Sequence, residues 1–341
     1  MTTGRLLHTA TLLSDGRVLI AGGIDGGNGQ GSQKWFSSAE LYDPASGQFS
    51  LTGSMAAGRD QATATLLADG RVLIAGGRDA SLKPLDSAEI YDPKSATFTQ
   101  TGTLTTPRNH HTATLLSDGR VLIAGGFDGR NVLASAELYD PTSGKFAATG
   151  SMTNNRADDT ATPLRDGRVL IAGGYDGTTS LASAELYDPA NGRFAVTGSL
   201  ATARDRHTAT SLANGSVLVA GGERDGYDHQ IASAELYNPA SGKFSATGLM
   251  SAPHFLGTAT LLSDGRVLIA GGSGAQPDAS TELFDPKTVA FTPSFPMIIG
   301  RDSDTATLLL DGRVLIAGGW GPAPNTASPG KIDMPAELYQ P

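Results

Sequence analysis

Hydrophobic positions along this chain come in short bursts separated by turn residues. The run Thr9-Ala10-Thr11-Leu12-Leu13 is followed, after Ser14-Asp15-Gly16, by Arg17-Val18-Leu19-Ile20-Ala21. Both read as strands. Between them stands Asp-Gly (Asp15-Gly16, Asp69-Gly70, Asp118-Gly119, Asp166-Gly167, Asp264-Gly265, Asp311-Gly312) or Asn214-Gly215. Such a two-residue linker is a strong hairpin signal and predicts type I′ turns, with two positive φ angles each. A third strand is Ala-Glu-Leu-Tyr, ending at Asp-Pro, and a fourth is a short Phe-containing run such as Gln48 to Leu51. No stretch of about ten residues keeps a helical period, so helix content is expected to be close to nil.

The whole unit repeats. Ala-Gly-Gly recurs seven times, with first glycines at Gly22, Gly76, Gly125, Gly173, Gly221, Gly271 and Gly318, a period near 50 residues. Around each pair the text is TATLLSDGRVLIAGG, a variable stretch, SAELYDPxSGxF, a short TGSM and then an Arg. Seven four-stranded units can close radially and so hide their sheet edges. The predicted fold is all-β, a seven-bladed β-propeller of antiparallel blades forming a single domain over residues 1–341. Closure has a gap: after Tyr339-Gln340-Pro341 no seventh fourth strand appears, while Met1 to Arg5 fits the Met-x-x-x-Arg tail that follows that strand elsewhere. Blade 7 is therefore expected to be three-stranded, or to have its edge filled by a neighbouring chain.

These repeats resemble the kelch family, on the Gly-Gly pair, the Glu-Leu-Tyr-Asp-Pro strand and an Arg three residues before a frequent His (Arg5 to His8, Arg108 to His111, Arg204 to His207). Kelch propellers include protein-binding adaptors, isomerases and oxidases, so the resemblance implies a fold more than an activity. Where family repeats usually carry Trp in the fourth strand, this chain has Phe (Phe49, Phe98, Phe146, Phe194, Phe244, Phe291). The galactose-oxidase type of kelch enzyme is set aside, because its crosslinked Tyr–Cys cofactor needs a cysteine.

Composition narrows the chemistry. There is no cysteine, which excludes disulfides, thiolate metal sites and cysteine nucleophiles. A net charge of −9 argues against nucleic acid. No apolar run approaches the roughly 18 residues that span a bilayer, so no membrane insertion is expected. Met1 to Arg5 does not read as a signal peptide. The compartment stays open, with an extracellular or periplasmic one favoured.

Topology selects a working face. With strands lettered a to d, the a–b and c–d turns are monotonous, whereas the b–c loops and d–a connections diverge between copies. Variable loops on a rigid scaffold are where function concentrates. Two rings should meet around the channel mouth. One comprises the three positions after each Arg, among them His110, His111, Asp158, Asp159, Asp205, Arg206, His207, Asp302 and Asp304. The other is the residue after Gly-Gly, among them Phe127, Tyr175, Glu223 and Trp320. Blades 3 to 5 are richest, and aromatics with a few convergent polar groups suit a sugar or small-molecule site. Trp35 and Phe36, in the long b–c loop of blade 1, could form a lid or partner anchor.

Other repeated groups read as structural. His8, His111 and His207 share one repeat position, which Asp159 and Asp304 take in other blades. They read first as polar caps on strand a, with metal or acid–base roles as the alternative. The Glu of every strand c should pair with the Arg before strand a. Asp25, Asp79, Asp128 and Asp176 read as turn residues rather than calcium ligands. No cofactor is expected. Two function classes remain: a module binding a protein segment or glycan on the variable face, or a lyase or epimerase acting on a sugar acid with His110, Asp158, Arg206 and His207 in its site.

Overall fold

The computed structural model describes residues 1–26, 33–225, 229–273, 276–321 and 334–341. Among them 27 strands form seven antiparallel meander sheets, and there is no helix. Six sheets have four strands and the last has three, so the chain is a seven-bladed propeller with an incomplete seventh blade. In blade 1 the strands are Thr9–Leu12 (a), Val18–Ala21 (b), Ser38–Asp43 (c) and Gln48–Ser54 (d). Blade 7 has only Thr305–Leu308, Val314–Ala317 and Glu337–Tyr339.

The core lies between blades rather than within them. Strand b is buried along its whole length in every blade. One face of Val18–Ala21 sends Leu19 and Ala21 into a cluster with Val72, Ile74 and Tyr91 of blade 2. The other sends Val18 and Ile20 into a cluster with Leu309, Leu315 and Ala317 of blade 7. A strand clasped on both sides reads as a continuous apolar run, which is what Val-Leu-Ile-Ala is.

Each joint between blades is organised by one arginine. Arg5 is fully buried; its Nη1 donates to Gly22 O at 2.9 Å and Ser38 O at 3.0 Å, and its Nη2 to Glu40 Oε1 at 2.9 Å. Arg59, Arg108, Arg156, Arg204 and Arg301 repeat the arrangement in their blades. The side chain thus clamps the start of strand c to the end of strand b within one blade. The same residue's carbonyl serves the blade before: Gly23 N donates to Arg59 O at 2.8 Å, and Gly319 N to Arg5 O at 3.0 Å, which closes blade 7 onto blade 1. The double glycine follows from this contact. Gly22 and Gly23 have φ of +70° and +87°, and a Cβ on Gly22 would sit 2.6 Å from Arg59 O. In blade 6 His254 stands in, with Nδ1 2.6 Å from Gly271 O and Nε2 3.3 Å from Glu282.

The Phe of strand d packs on the Tyr of strand c with centroids 4.8 Å apart, for example Tyr139 on Phe146, so the pair occupies the place of the expected Trp. That tyrosine's hydroxyl reaches the preceding blade, as in Thr101 to Tyr139 at 2.9 Å. Blade 6 has Phe284 at this position, and Thr247 of blade 5 instead donates to Ala234 O and Gly248 O.

The a–b turns depart from expectation. Leu13 N donates to Arg17 O and Gly16 N to Leu13 O, which makes a three-residue loop. Gly16 has φ +87°, while Asp15 is absent from the left-handed residues. This is a type I turn followed by a left-handed glycine, not a type I′ turn. The contact shared by these turns is a side-chain oxygen that accepts the backbone N–H two residues on: Asp15 Oδ1 from Arg17 N at 3.0 Å, and Asn214 Oδ1 from Ser216 N at 2.9 Å where there is no arginine.

Removing one partner of a buried pair strands the other. Arg108→Ala, which leaves Glu137 buried, is expected to cost about 3–5 kcal/mol. Arg120→Ala, in the exposed pair with Asp118, should cost about 1 kcal/mol or less. Urea unfolding of the two variants checks the contrast.

Candidate functional site

The two variable rings do meet. Seven antiparallel bridges join the residue after each conserved Arg or His to the residue after Gly-Gly: Leu6 to Ile24, Asp60 to Arg78, Asn109 to Phe127, Ala157 to Tyr175, Asp205 to Glu223, Phe255 to Ser273 and Asp302 to Trp320. They extend strands a and b of each blade toward the channel mouth.

The next residue in each blade takes a left-handed conformation without being glycine. Leu7, Gln61, His110, Asp158, Arg206, Leu256 and Ser303 all have φ between 50° and 55°. Such residues are uncommon and persist where surroundings over-determine them. Here the backbones link blade to blade around the mouth: Leu7 N donates to Ser303 O, Gln61 N to Leu7 O, Asp158 N to His110 O, Arg206 N to Asp158 O and Ser303 N to Leu256 O. The turn places seven unlike side chains side by side over the channel.

In blades 3 to 5 those side chains form one network. His110 Nδ1 lies 2.6 Å from Asp158 Oδ1, Arg206 Nε donates to Asp158 Oδ2 at 3.2 Å, and Arg206 Nη1 donates to Glu223 Oε1 at 2.6 Å. The guanidinium also lies 5.7 Å from the ring centroid of Phe255. Asp205 accepts the Ser180 hydroxyl at 2.6 Å. Burial opposes ionisation of Asp158, but His110 and Arg206 outweigh it and hold its carboxyl below the usual range. Burial raises Asp205 and Glu223, with Arg206 pulling both back.

Beside this network a cleft of about 490 Å³ opens between blades 3 and 4, lined by His110, Phe127, Asn131, Asn155, Asp158 and Tyr175 among others. Phe127 and Tyr175 are half-buried, whereas Asn131 and Asn155 are exposed. The amides, together with Arg130, Thr178 and the buried Ser180, were not singled out from sequence. All but Asn155 belong to b–c loops with no motif, marked only by closeness to Gly-Gly, and Asn155 lies in a d–a connection just before Arg156.

Deeper in the mouth lies the other set. His8, His111, Asp159, His207 and Asp304 line the channel within a cavity of about 350 Å³ that His110, Asp158 and Arg206 also border. Each histidine's Nε2 lies 3.0 Å from a threonine hydroxyl of the preceding blade: His8 to Thr305, His111 to Thr63 and His207 to Thr160. Burial, then the neighbouring Arg108 in the case of His111, pushes these histidines down to about 3, which keeps them neutral. Asp159 and Asp304 have no protein hydrogen-bond partner for either oxygen, and burial pushes both up to about 7. Asp302 and Trp320 sit in blade 7, away from the network, with Trp320 43% exposed.

Two expectations need correction. Phe36 is no lid: it is buried, with the Arg5 guanidinium 4.9 Å from its ring. Trp35 is partly buried and bridged to Ile24, while the glycine-rich segment before it, 27–32, lies outside the described residues. The turn-lined face is also not featureless. A cleft of about 620 Å³ between blades 1 and 2 is lined by Asp15, Asp69, Arg71 and Lys94. A similar one of about 510 Å³ lies between blades 5 and 6, so it belongs to the repeated scaffold. The glycine-following aspartates are turn residues, as expected: Asp128 Oδ1 accepts from Arg130 N and Asn131 N.

A family model described as the KLHDC2/KLHL20/DRC7 Kelch-repeats domain matches residues 7–222. The chain belongs to the kelch-repeat family. No curated protein matches it. Among solved structures, a fungal alcohol oxidase of the AA5 family in complex with copper is similar over 99% of this chain and 74% of its own, at 20% identity and a TM-score of 0.78. That likeness is one of fold. This kelch propeller has no cysteine, and among its described residues no three His, Cys, Asp or Glu side chains gather as a metal site would require. Its residues do not fit that copper.

The buried acids give the kelch channel a pH signature. The unfolded chain releases the Asp159 and Asp304 protons near pH 4, and the folded one near pH 7. Their stabilising contribution is therefore full below about pH 4 and lost as pH rises through about 7. The histidines act oppositely, losing theirs as pH falls from about 6.5 toward 3. The Asp159→Asn/Asp304→Asn double variant should melt higher than wild type by a margin that grows from pH 5 to pH 8, as thermal melts across that range will show.

Proposed function

We propose that this kelch propeller is a protein-interaction module whose partner docks, as an extended segment, on the face formed by the b–c loops and d–a connections, centred on blades 3 to 5. The observation that carries the reading is the cleft between blades 3 and 4. It combines half-buried Phe127 and Tyr175 with Asn131, Asn155 and Thr178. Rings offer apolar anchors, and amides and hydroxyls offer both donors and acceptors to a peptide backbone. The His110–Asp158–Arg206–Glu223 network beside it holds the loops in place and supplies a polar wall.

The sugar-acid lyase or epimerase is less well supported. Abstraction of a proton needs a carboxylate of raised basicity; Asp158 is held in the opposite direction by His110 and Arg206, so that role would pass to the deeper Asp159, which burial pushes up to about 7. A substrate carboxylate needs a cation, and Arg206 already serves Asp158 and Glu223, which leaves that role to Arg130 at the rim of the cleft. A glycan would use the same rings and amides, and the test separates it.

A random-peptide library is selected on the immobilised protein, and the selected peptides are titrated against variants. Phe127→Ala/Tyr175→Ala should weaken binding tenfold or more, while Lys94→Ala on the opposite face should leave it unchanged. Peptides indifferent to the cleft variant would refute the reading. So would a melting shift with a uronic acid or neutral oligosaccharide that Asp158→Ala abolishes, because the site would then be one for small molecules.

A further inference from the structure

Not every seam between blades is tied alike, and the one between blades 5 and 6 lacks three kinds of bond made elsewhere. Thr101, Thr149 and Thr197 each meet a tyrosine hydroxyl of the next blade at 2.8–2.9 Å. Thr247 has Phe284 for its counterpart, which carries no hydroxyl. His8, His111 and His207 each reach a threonine of the preceding blade, but blade 6 has Gly257 at that position. Around the mouth, Gln61 N, Asp158 N and Arg206 N donate to a carbonyl of the preceding blade. Among the described residues no such bond runs from Leu256 N to Arg206 O. At the outer rim Gly248 N donates to Val289 O at 3.1 Å, and Val289 sits at φ +55°. Blades 3 to 5 have glycine there (Gly144, Gly192, Gly242), and a β-branched residue in the left-handed region is strained.

At the mouth this seam depends on His254, whose carbonyl accepts from Gly222 N of blade 5 at 2.9 Å. Its side chain, 3% exposed, replaces the arginine of the other six blades. Nδ1 lies 2.6 Å from Gly271 O and Nε2 3.3 Å from Glu282 Oε1. Both partners can only accept. Gly271 offers a carbonyl. Glu282 is an ionised carboxylate that also accepts from Ser251 N at 2.9 Å and Ala252 N at 3.4 Å. Burial opposes that ionisation, but His254 and the Ser251 N–H outweigh it and hold the carboxyl below its usual range. A neutral imidazole has one N–H and one lone pair, so it satisfies one acceptor and turns a lone pair on the other. Only the imidazolium makes both bonds. Arginine does not give up its proton in a protein, whereas an imidazolium can.

What this clamp supports is the mouth network. Phe255 follows His254 directly, is buried, and has its ring centroid 5.7 Å from the Arg206 guanidinium. Arg206 in turn donates to Asp158 and Glu223. The other charged groups packed around the clamp come from the b–c loop of blade 6 and from blade 7. Asp278, in that loop, accepts from both the N–H and the hydroxyl of Ser280. Arg301 of blade 7 donates its backbone N–H to Asp278 O and pairs with Glu337. Asp304 of blade 7 lies close to Gly271, where a Cβ would meet its Oδ1 at 3.4 Å. Blade 5 presents Gly221, whose Cβ would stand 2.3 Å from His254 O.

We propose that the seam between blades 5 and 6 is a proton-controlled joint. While His254 is an imidazolium it ties Gly271 to Glu282 and holds the seam. When it gives up that proton one tie is lost, the seam opens locally, and Phe255 and Arg206 loosen with it. The sign follows from the donor count, which is two bonds at low pH and one at high pH. Local opening is drawn from the least-tied parts of a fold, and this seam is short of ties before the proton leaves. The opening acts on the Arg206 network itself, so it does not rest on what docks there.

Hydrogen exchange read by mass spectrometry at pH 5.5 and pH 8.5 tests this on the intact protein. Peptides covering 217–223 and 254–257 are compared with their repeat counterparts 121–127 and 156–159 at the same pH, which cancels the intrinsic rate. Exchange at the 5–6 seam relative to its counterpart should rise several-fold from pH 5.5 to pH 8.5 in the wild type. It should stay flat in His254→Arg, whose cation is permanent. In His254→Gln, which cannot become a cation, it should be raised already at pH 5.5. Asp304 also ionises within this range, but it does so in both variants, so the difference between them reports His254. A wild-type ratio that does not move with pH, or one that rises equally in His254→Arg, overturns the proposal. Should the variants fail to fold, ¹⁵N spectra of the wild-type imidazole decide. Two protonated ring nitrogens at pH 5.5 and one at pH 8.5 are expected, and a His254 ring in the same state at both overturns it.

Discussion

Everything in this propeller hangs on a guanidinium that is out of contact with water. Six arginines are buried with a glutamate partner each, and the ion pair is only part of what satisfies them. Two carbonyl oxygens accept from Nη1 of each guanidinium, the Nε of Arg5, Arg59 and Arg156 is left buried without a partner, and the glutamate's other contacts are backbone N–H groups, such as Thr105 N to Glu137 at 2.7 Å. A desolvated charge of this kind is tolerated only when it is paired and most of its donors are met, which constrains the geometry around it closely. The Gly-Gly pair, the Ala-Glu start of strand c and the tail before strand a are all consequences. Each places an acceptor or clears a path for one.

The same economy explains which parts of the molecule could be read from its letters. Blade count and strand order were legible because they are written seven times, and the Arg–Glu pairing because it is written six times, and repetition separates scaffold from decoration. So was the convergence of the two variable rings, since it follows from meander topology alone. The type of the a–b turn was not. Asp-Gly is compatible with two turn families, and the choice goes with a side-chain oxygen that accepts the backbone N–H two residues on, whether from Asp15 or from Asn214. Nor was the left-handed ring legible. His110, Asp158 and Arg206 have no residue-type signature for positive φ, and the conformation is imposed by hydrogen bonds from neighbouring blades. Trp35 and Phe36 looked like a lid because their loop is long and glycine-rich. Phe36 is in fact drawn beneath Arg5, so the buried cation claims it too.

At the channel mouth the scaffold's regularity meets side chains that do not repeat. Identical backbones deliver His110, Asp158 and Arg206 side by side, and the three satisfy one another. Below them the repeated position holds neutral histidines bound to threonines, with two acids that find no partner in the protein. Beside them, the cleft between blades 3 and 4 is where aromatic and amide groups come together.

The joint between blades has one more implication. Gly319 meets Arg5 by the same contact through which Gly23 meets Arg59 and Gly126 meets Arg156. At this one contact the seams are alike, including the one that joins last to first. No seam therefore carries any information about how many blades there should be. The number is fixed by curvature, through the wedge angle that lets a final glycine reach a first arginine. A lineage that duplicates or deletes one repeat keeps every local contact and has only that angle to renegotiate.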